Sequence, residues 1–176
     1  IKIIFFSSNK VYAITNMERK RILEIYNKAY NVDVLHNISQ FNPSFDDISF
    51  NERKSLVYIG NIEYTKGVDR LVKLAKNLKK LKIDLFIEIY GNARYDRNYY
   101  ESIDREIRNL KLNNIFLKGF HENPNLVLKK SLLLLRPSRN NDPWGRDIIE
   151  SIASGIPVIA SGTDSDFIIN KKNGYL

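Results

Sequence analysis

The chain has 176 residues, which suits one domain or one domain with part of a second. Hydrophobic residues make up 43% and charged residues 27%, a globular balance with no apolar run long enough to span a bilayer. Cysteine is absent, which excludes disulfides, thiolate metal sites and a thiol nucleophile. The opening Ile1-Lys2-Ile3-Ile4-Phe5-Phe6 is too short for a signal peptide, so a cytoplasmic location is expected. No initiator Met stands at the start, as in a piece of a longer chain. The net charge of +8 is read as solvated surface: Lys73, Lys76, Lys79, Lys80 and Lys82 cluster on one predicted helix and its exit. Aromatic residues are not interleaved with them as a stacking groove requires, so no nucleic-acid partner is expected.

Residues 1–6 read as a buried strand and 11–14 as a second short strand. Thr15 or Asn16 can cap a helix from about Met17 to Tyr30, and Val32 to Leu35 forms another strand. From His36 to Lys54 the pattern dissolves into Asn, Ser, Asp and Pro, which is linker composition. The expected division is 1–36, a linker at 37–54, and a larger unit at 55–176. In that unit Ser55–Gly60 is a strand, and a helix starting near Lys66-Gly67 carries Val68, Leu71, Leu74, Ala75 and Leu78 on one face. Further strands are expected at 85–90, 114–118 and 132–135, with helices near 98–110 and 125–130 between them. A last helix bears Glu150 and leads to a strand at 156–160. Short apolar strands alternating with helices predict an α/β fold, a parallel sheet covered on both faces.

The chemistry concentrates where strands end. Gly60, Gly91 and Gly119 close three of them, which is ordinary turn punctuation unless a ligand approaches. Neither a G-x-G-x-x-G run nor a P-loop is present, which weighs against dehydrogenases and NTPases. Lys66 at a helix start is placed for a phosphate, since an ammonium is otherwise ill suited to that end of the dipole. Asp142 and Glu150 can face one space above the sheet edge, where a carboxylate pair suits a sugar or ribose diol. They equally read as a helix cap and a solvated acid. Trp144 is a sugar platform or a loop anchor. His121 lacks partners at metal spacing and reads as a loop residue. Asp164 and Asp166 read as turn residues capping a following helix.

Together these stretches resemble a known family, the retaining glycosyltransferases of the GT-B fold with a Glu-x(7)-Glu signature. The run from Asp142-Pro143-Trp144-Gly145-Arg146 through Glu150 to Gly155-Ile156-Pro157-Val158-Ile159-Ala160 carries the likeness. Gly60 through Lys66-Gly67 and Asn173-Gly174-Tyr175-Leu176 add to it. The resemblance implies a Rossmann-like doubly wound parallel sheet at 55–176 that binds a nucleotide-sugar donor, with 1–36 the remnant of an acceptor-binding domain. It implies Lys66 on the donor diphosphate, Asp142 on the transferred sugar, Glu150 on the ribose, and Gly60, Trp144, Gly145 and Arg146 beside them. Phe120 and His121 are implied near the base. No metal or other cofactor is implied. The implied acceptor is a glycan or lipid-linked molecule, with a peripheral role at the inner membrane face. Two departures stand out: Asp142 replaces a Glu, and Asn61 stands where an Arg joins the lysine, leaving Arg94 or Arg146 to supply the second cation. The fragment alone is expected not to catalyse transfer. A non-catalytic nucleotide-binding domain and a GT-B sugar epimerase or phosphorylase share these features and stay open.

Overall fold

A computed structural model describes residues 10–26, 31–38, 49, 52–140 and 144–176. The expected strand at 1–6, the end of the first helix at 27–30, most of the linker, and Asp142 lie outside the described residues. The first unit is a βαβ turn: β1 (Val11–Ala13) and β2 (Val32–Val34) pair in parallel, with α1 (Asn16–Tyr26) between them. Thr15 starts that helix as the sequence predicts. Its Oγ1 accepts the Glu18 N–H at 3.1 Å, and Glu18 Oε2 reaches back to the Ile14 N–H at 3.1 Å, a reciprocal cap.

The larger unit is one six-stranded sheet built from β3 (Ser55–Ile59), β4 (Phe86–Tyr90), β5 (Ile115–Gly119), β6 (Leu133–Arg136), β7 (Val158–Ala160) and β8 (Gly174–Tyr175). Their order is β5-β4-β3-β6-β7-β8, and every pairing is parallel. Alternate residues serve opposite faces. Leu56, Tyr58, Ile87, Ile89 and Leu135 join a core with α2 (Asp69–Lys80) and α3 (Arg97–Asn109). Val57, Leu134, Val158 and Ala160 join a second core with α4 (Pro124–Lys129) and α5 (Arg146–Ala153). Helix α2 reaches its core through Leu71, Val72, Ala75 and Leu78, the 3–4 spacing of one helical face. Helices therefore cover both faces of a doubly wound sheet, as the sequence pattern predicts.

This sheet starts at its centre with β3, and the chain then moves out to β5, crosses back through α4 and leaves on the other side from β6. The order reverses between β3 and β6, and ligands of such sheets sit in the crevice outside the carboxyl ends of the strands there.

Two sequence expectations need correction. Helix α2 begins at Asp69, not Lys66: Lys66 ends a 3₁₀ turn (Tyr64–Lys66) closed by Gly67. Gly67 has φ 70°, and a Cβ there would overlap the Pro137 carbonyl oxygen, so only glycine turns the chain this close to β6. No helix follows Asp164 and Asp166; the chain runs through turns to β8. Asp166 does cap a helix, but one 150 residues upstream. Its Oδ2 accepts the Asn16 N–H at 2.7 Å at the tip of α1. His36 lies 3.8 Å from the same carboxylate and packs edge-on against Phe167, centroids 4.9 Å apart.

Candidate functional site

The ends of β3, β4 and β5 frame a cleft of about 430 Å³. Its walls are Ile59, Gly60 and Asn61 after β3, Tyr90, Gly91, Asn92 and Arg94 after β4, and Phe120, His121 and Glu122 after β5. Pro124 and Val127 of α4 and Arg146 of α5 complete it. Sheet-like pairing continues past the strands and fixes these loops. The Gly60 N–H donates to Tyr90 O at 2.9 Å, Ile62 N–H to Asn92 O at 3.0 Å, and Gly91 N–H to Gly119 O at 2.9 Å. A Cβ on Gly91 would overlap the Gly60 carbonyl oxygen, so the two turns touch backbone to backbone. From below, the buried Tyr58 hydroxyl donates to Asn61 O at 2.7 Å. Burial pushes that phenol well above its ordinary value, against the pull of Arg136. At the mouth, the Phe120 ring is 67% exposed, an open apolar face, and His121 meets Tyr90 edge to face at 5.9 Å.

Beyond the point where the strand order reverses, arginines tie down the start of the loop after β6. Arg139 Nη2 donates to both Asp69 carboxylate oxygens at 2.6 and 2.7 Å, and its guanidinium lies 3.9 Å from the Tyr64 ring centroid. Tyr99 joins the knot, its hydroxyl 2.6 Å from Asp69 Oδ1. The Arg139 N–H also donates to Thr65 O at 2.9 Å. Arg70 Nη1 donates to the Pro137 and Ser138 carbonyls, each at 3.2 Å. The turn that carries Lys66 is thereby stapled to residues 137–139 at the end of β6. Beneath α5, Arg136 Nη1 donates to both oxygens of Asp147 at 2.8 and 2.7 Å, with both side chains only 10% exposed. A Cβ on Gly145 would overlap Asp147 Oδ1 and press on the Arg136 guanidinium.

Six of the site residues picked from the sequence, Gly60, Asn61, Arg94, Phe120, His121 and Arg146, line this cleft. Glu150 sits one turn along α5 from Arg146. Its carboxylate lies 3.4 Å from Arg146 Nη2 and its side chain is 12% exposed. Lys66 is half-buried in the stapled turn and is not among the residues lining that cleft. Trp144 lines a separate, smaller hollow with Thr15, Met17, Asp164, Ser165 and Asp166, where α1 meets the loop before β8. Gly145 lies over the Arg136–Asp147 pair, and Asp142 is outside the described residues. The sequence reading missed Arg136, Asp147, Arg139, Asp69, Tyr99, Tyr90 and Asn92. One signal was available: an arginine directly closing the all-apolar run Leu132–Leu135 must find a partner or leave the sheet.

The model of the family described as glycosyl transferases group 1 matches residues 41–176. The chain belongs to that family. A poly(glycerol-phosphate) alpha-glucosyltransferase of Bacillus subtilis (strain 168) is 25% identical over 96% of this chain and 29% of its own length. A 2-deoxystreptamine N-acetyl-D-glucosaminyltransferase of Niallia circulans is 29% identical over 62% of this chain and 28% of its own. The chain thus spans under a third of the length of these curated relatives. Among solved structures, a point mutant of S. aureus TarM in complex with Fondaparinux, alpha-GlcNAc-glycerol and UDP superposes with a TM-score of 0.81. It is 26% identical and covered over 34% of its length, against 98% of this chain. Anabaena HepE in complex with UDP and glucose gives a TM-score of 0.85 at 18% identity, covering 99% of this chain and 50% of that one, a likeness of fold.

Proposed function

We propose that this chain is the donor-binding part of a retaining glycosyltransferase that takes a sugar from a nucleoside-diphosphate sugar, with UDP as the nucleotide. One observation carries the reading: the 430 Å³ cleft opens at the carboxyl ends of β3, β4 and β5, beside the point where the strand order reverses, with Arg146 on its wall and Glu150 beside it. The base enters between Tyr90, Phe120 and His121, whose rings and loop backbones offer stacking and hydrogen bonds. Glu150 accepts the ribose hydroxyls as a carboxylate accepts a diol. The diphosphate lies towards the α5 tip at Gly145-Arg146 and the Lys66 turn, where backbone N–H groups and cations stabilise the leaving nucleotide as its charge develops. Asp142 holds the transferred sugar, the role the family resemblance implies for it. Transfer proceeds without a metal ion, and the acceptor hydroxyl arrives on the face the leaving group vacates. UDP in the S. aureus TarM structure supports the choice of nucleotide.

The acceptor is a glycan or lipid-linked molecule, held by parts of a longer protein that cover this site. Among the described residues no helix is long and apolar enough to cross a membrane, and the membrane role proposed is peripheral contact at the inner face. Titration calorimetry of this chain with UDP-, GDP-, ADP- and dTDP-sugars tests the reading. UDP-sugars bind best, and Glu150→Ala weakens them on the order of tenfold, the loss of charged hydrogen bonds. Absence of nucleotide binding, or a Glu150→Ala variant that binds as well as the parent, defeats it. No turnover is expected from this chain alone.

A further inference from the structure

The buried pair Arg136–Asp147 has no part in the reading above, yet it lies where the two halves of the sheet part. Arg136 ends β6, and its carbonyl accepts the Ser161 N–H at 2.9 Å, so the residue is fixed in the sheet. Asp147 is the second residue of α5, and its carboxylate also faces the backbone N–H groups of Asp147 and Ile148. Gly145, at the tip of α5, lies directly over the pair: a Cβ there would overlap Asp147 Oδ1 and stand 2.9 Å from Arg136 Nη1. The pair is thus a floor beneath the start of α5. A formal charge at this depth is weakly screened and acts on whatever occupies the crevice.

We infer that Arg136 and Asp147 act as a charge-balancing couple beneath the diphosphate seat, and that Asp147 holds the donor's grip below its maximum. The inference rests on the donor-binding reading of the site. Arg136 contributes a positive potential under the phosphates, and Asp147 cancels most of it. The bound nucleotide therefore feels the helix tip and surface cations more than the buried guanidinium. For an enzyme whose product carries the same diphosphate, that balance favours release after transfer. Neither residue touches the donor; both are positioning residues acting through field and through the seating of α5.

Removing the two charges singly gives opposite signs, which a packing role does not. UDP and uridine affinities are measured by calorimetry for the parent, Asp147→Asn, Arg136→Met and the double variant Arg136→Met/Asp147→Met. Asp147→Asn binds UDP tighter and Arg136→Met binds it weaker, each on the order of tenfold, while uridine affinity stays within about twofold throughout. The double variant, which removes both charges together, keeps the fold where a single variant fails to and binds UDP near the parent value. Both singles weakening UDP and uridine alike, or the double variant losing UDP while folded, overturns the inference and leaves the donor-binding reading intact. A parent that binds neither UDP nor any UDP-sugar defeats that reading and this inference with it.

Discussion

Two arginine–aspartate pairs brace the same crevice with nearly the same geometry, yet they respond to protons in opposite ways. Arg139 grips Asp69 at 2.6 and 2.7 Å with side chains 19% and 20% exposed. Arg136 grips Asp147 at 2.8 and 2.7 Å with both 10% exposed. Burial pushes the Asp69 carboxyl up, but the hydrogen bonds from Arg139 and Tyr99 outweigh it and the group ends below its ordinary 3.8. At Asp147 the loss of water weighs more: it outweighs Arg136 and the local N–H groups, so the carboxyl ends above 3.8. Bond length does not decide a pair's worth; the water withheld from it does.

The comparison is most severely tested by breaking the deeper pair. Arg136→Met leaves a buried carboxylate without its cation and should cost about 3–5 kcal/mol in urea unfolding. The double Met variant should recover most of that loss. A single variant as stable as the parent would mean the pair is not desolvated. Next in size is Gly145→Ala, whose methyl group must displace Asp147 or Arg136; about 1–3 kcal/mol is expected, the range for an overpacked site. Arg139→Ala should cost less, about 1–2 kcal/mol, because water can reach Asp69 in its place.

The smallest effect is the sharpest. The lowered Asp69 contributes stability that is present above pH 3.8 and lost as pH falls through its lowered value. The raised Asp147 contributes stability that is present below pH 3.8 and lost as pH rises through its raised value. Arg139→Ala should therefore flatten the acid limb of a stability–pH curve below pH 3.8, and Asp147→Asn should flatten the stretch just above it. If both substitutions change the same limb, the two carboxylates do not differ as described.

The sheet was legible in the sequence because apolar periodicity and strand-ending glycines are local. Leu71, Ala75 and Leu78 announce the α2 face, and Gly60 and Gly91 mark the ends that become the cleft. The start of α2 was misplaced because Lys66-Gly67 form a tight turn whose reason, the Pro137 carbonyl, lies seventy residues along (137 − 67). Asp166 was assigned to a following helix because its partner, Asn16, comes from the other end of the chain. The arginine staples were invisible for the same reason. Arg139 and Asp69 are ordinary polar residues until folding sets them face to face, and spacing along the chain carries no trace of that.

The strand order also sets a timetable. Of the six-stranded sheet, a ribosome releases β3, β4 and β5 with their two long helices first, a three-stranded block that can close before β6 exists. Until β6 docks, β3 presents a bare edge, the kind that pairs with the wrong neighbour. The crevice comes into being only when that edge is sealed. Nascent chains halted before residue 132 should therefore be sticky and blind to nucleotide, and a few residues of further synthesis should cure the first fault before the second.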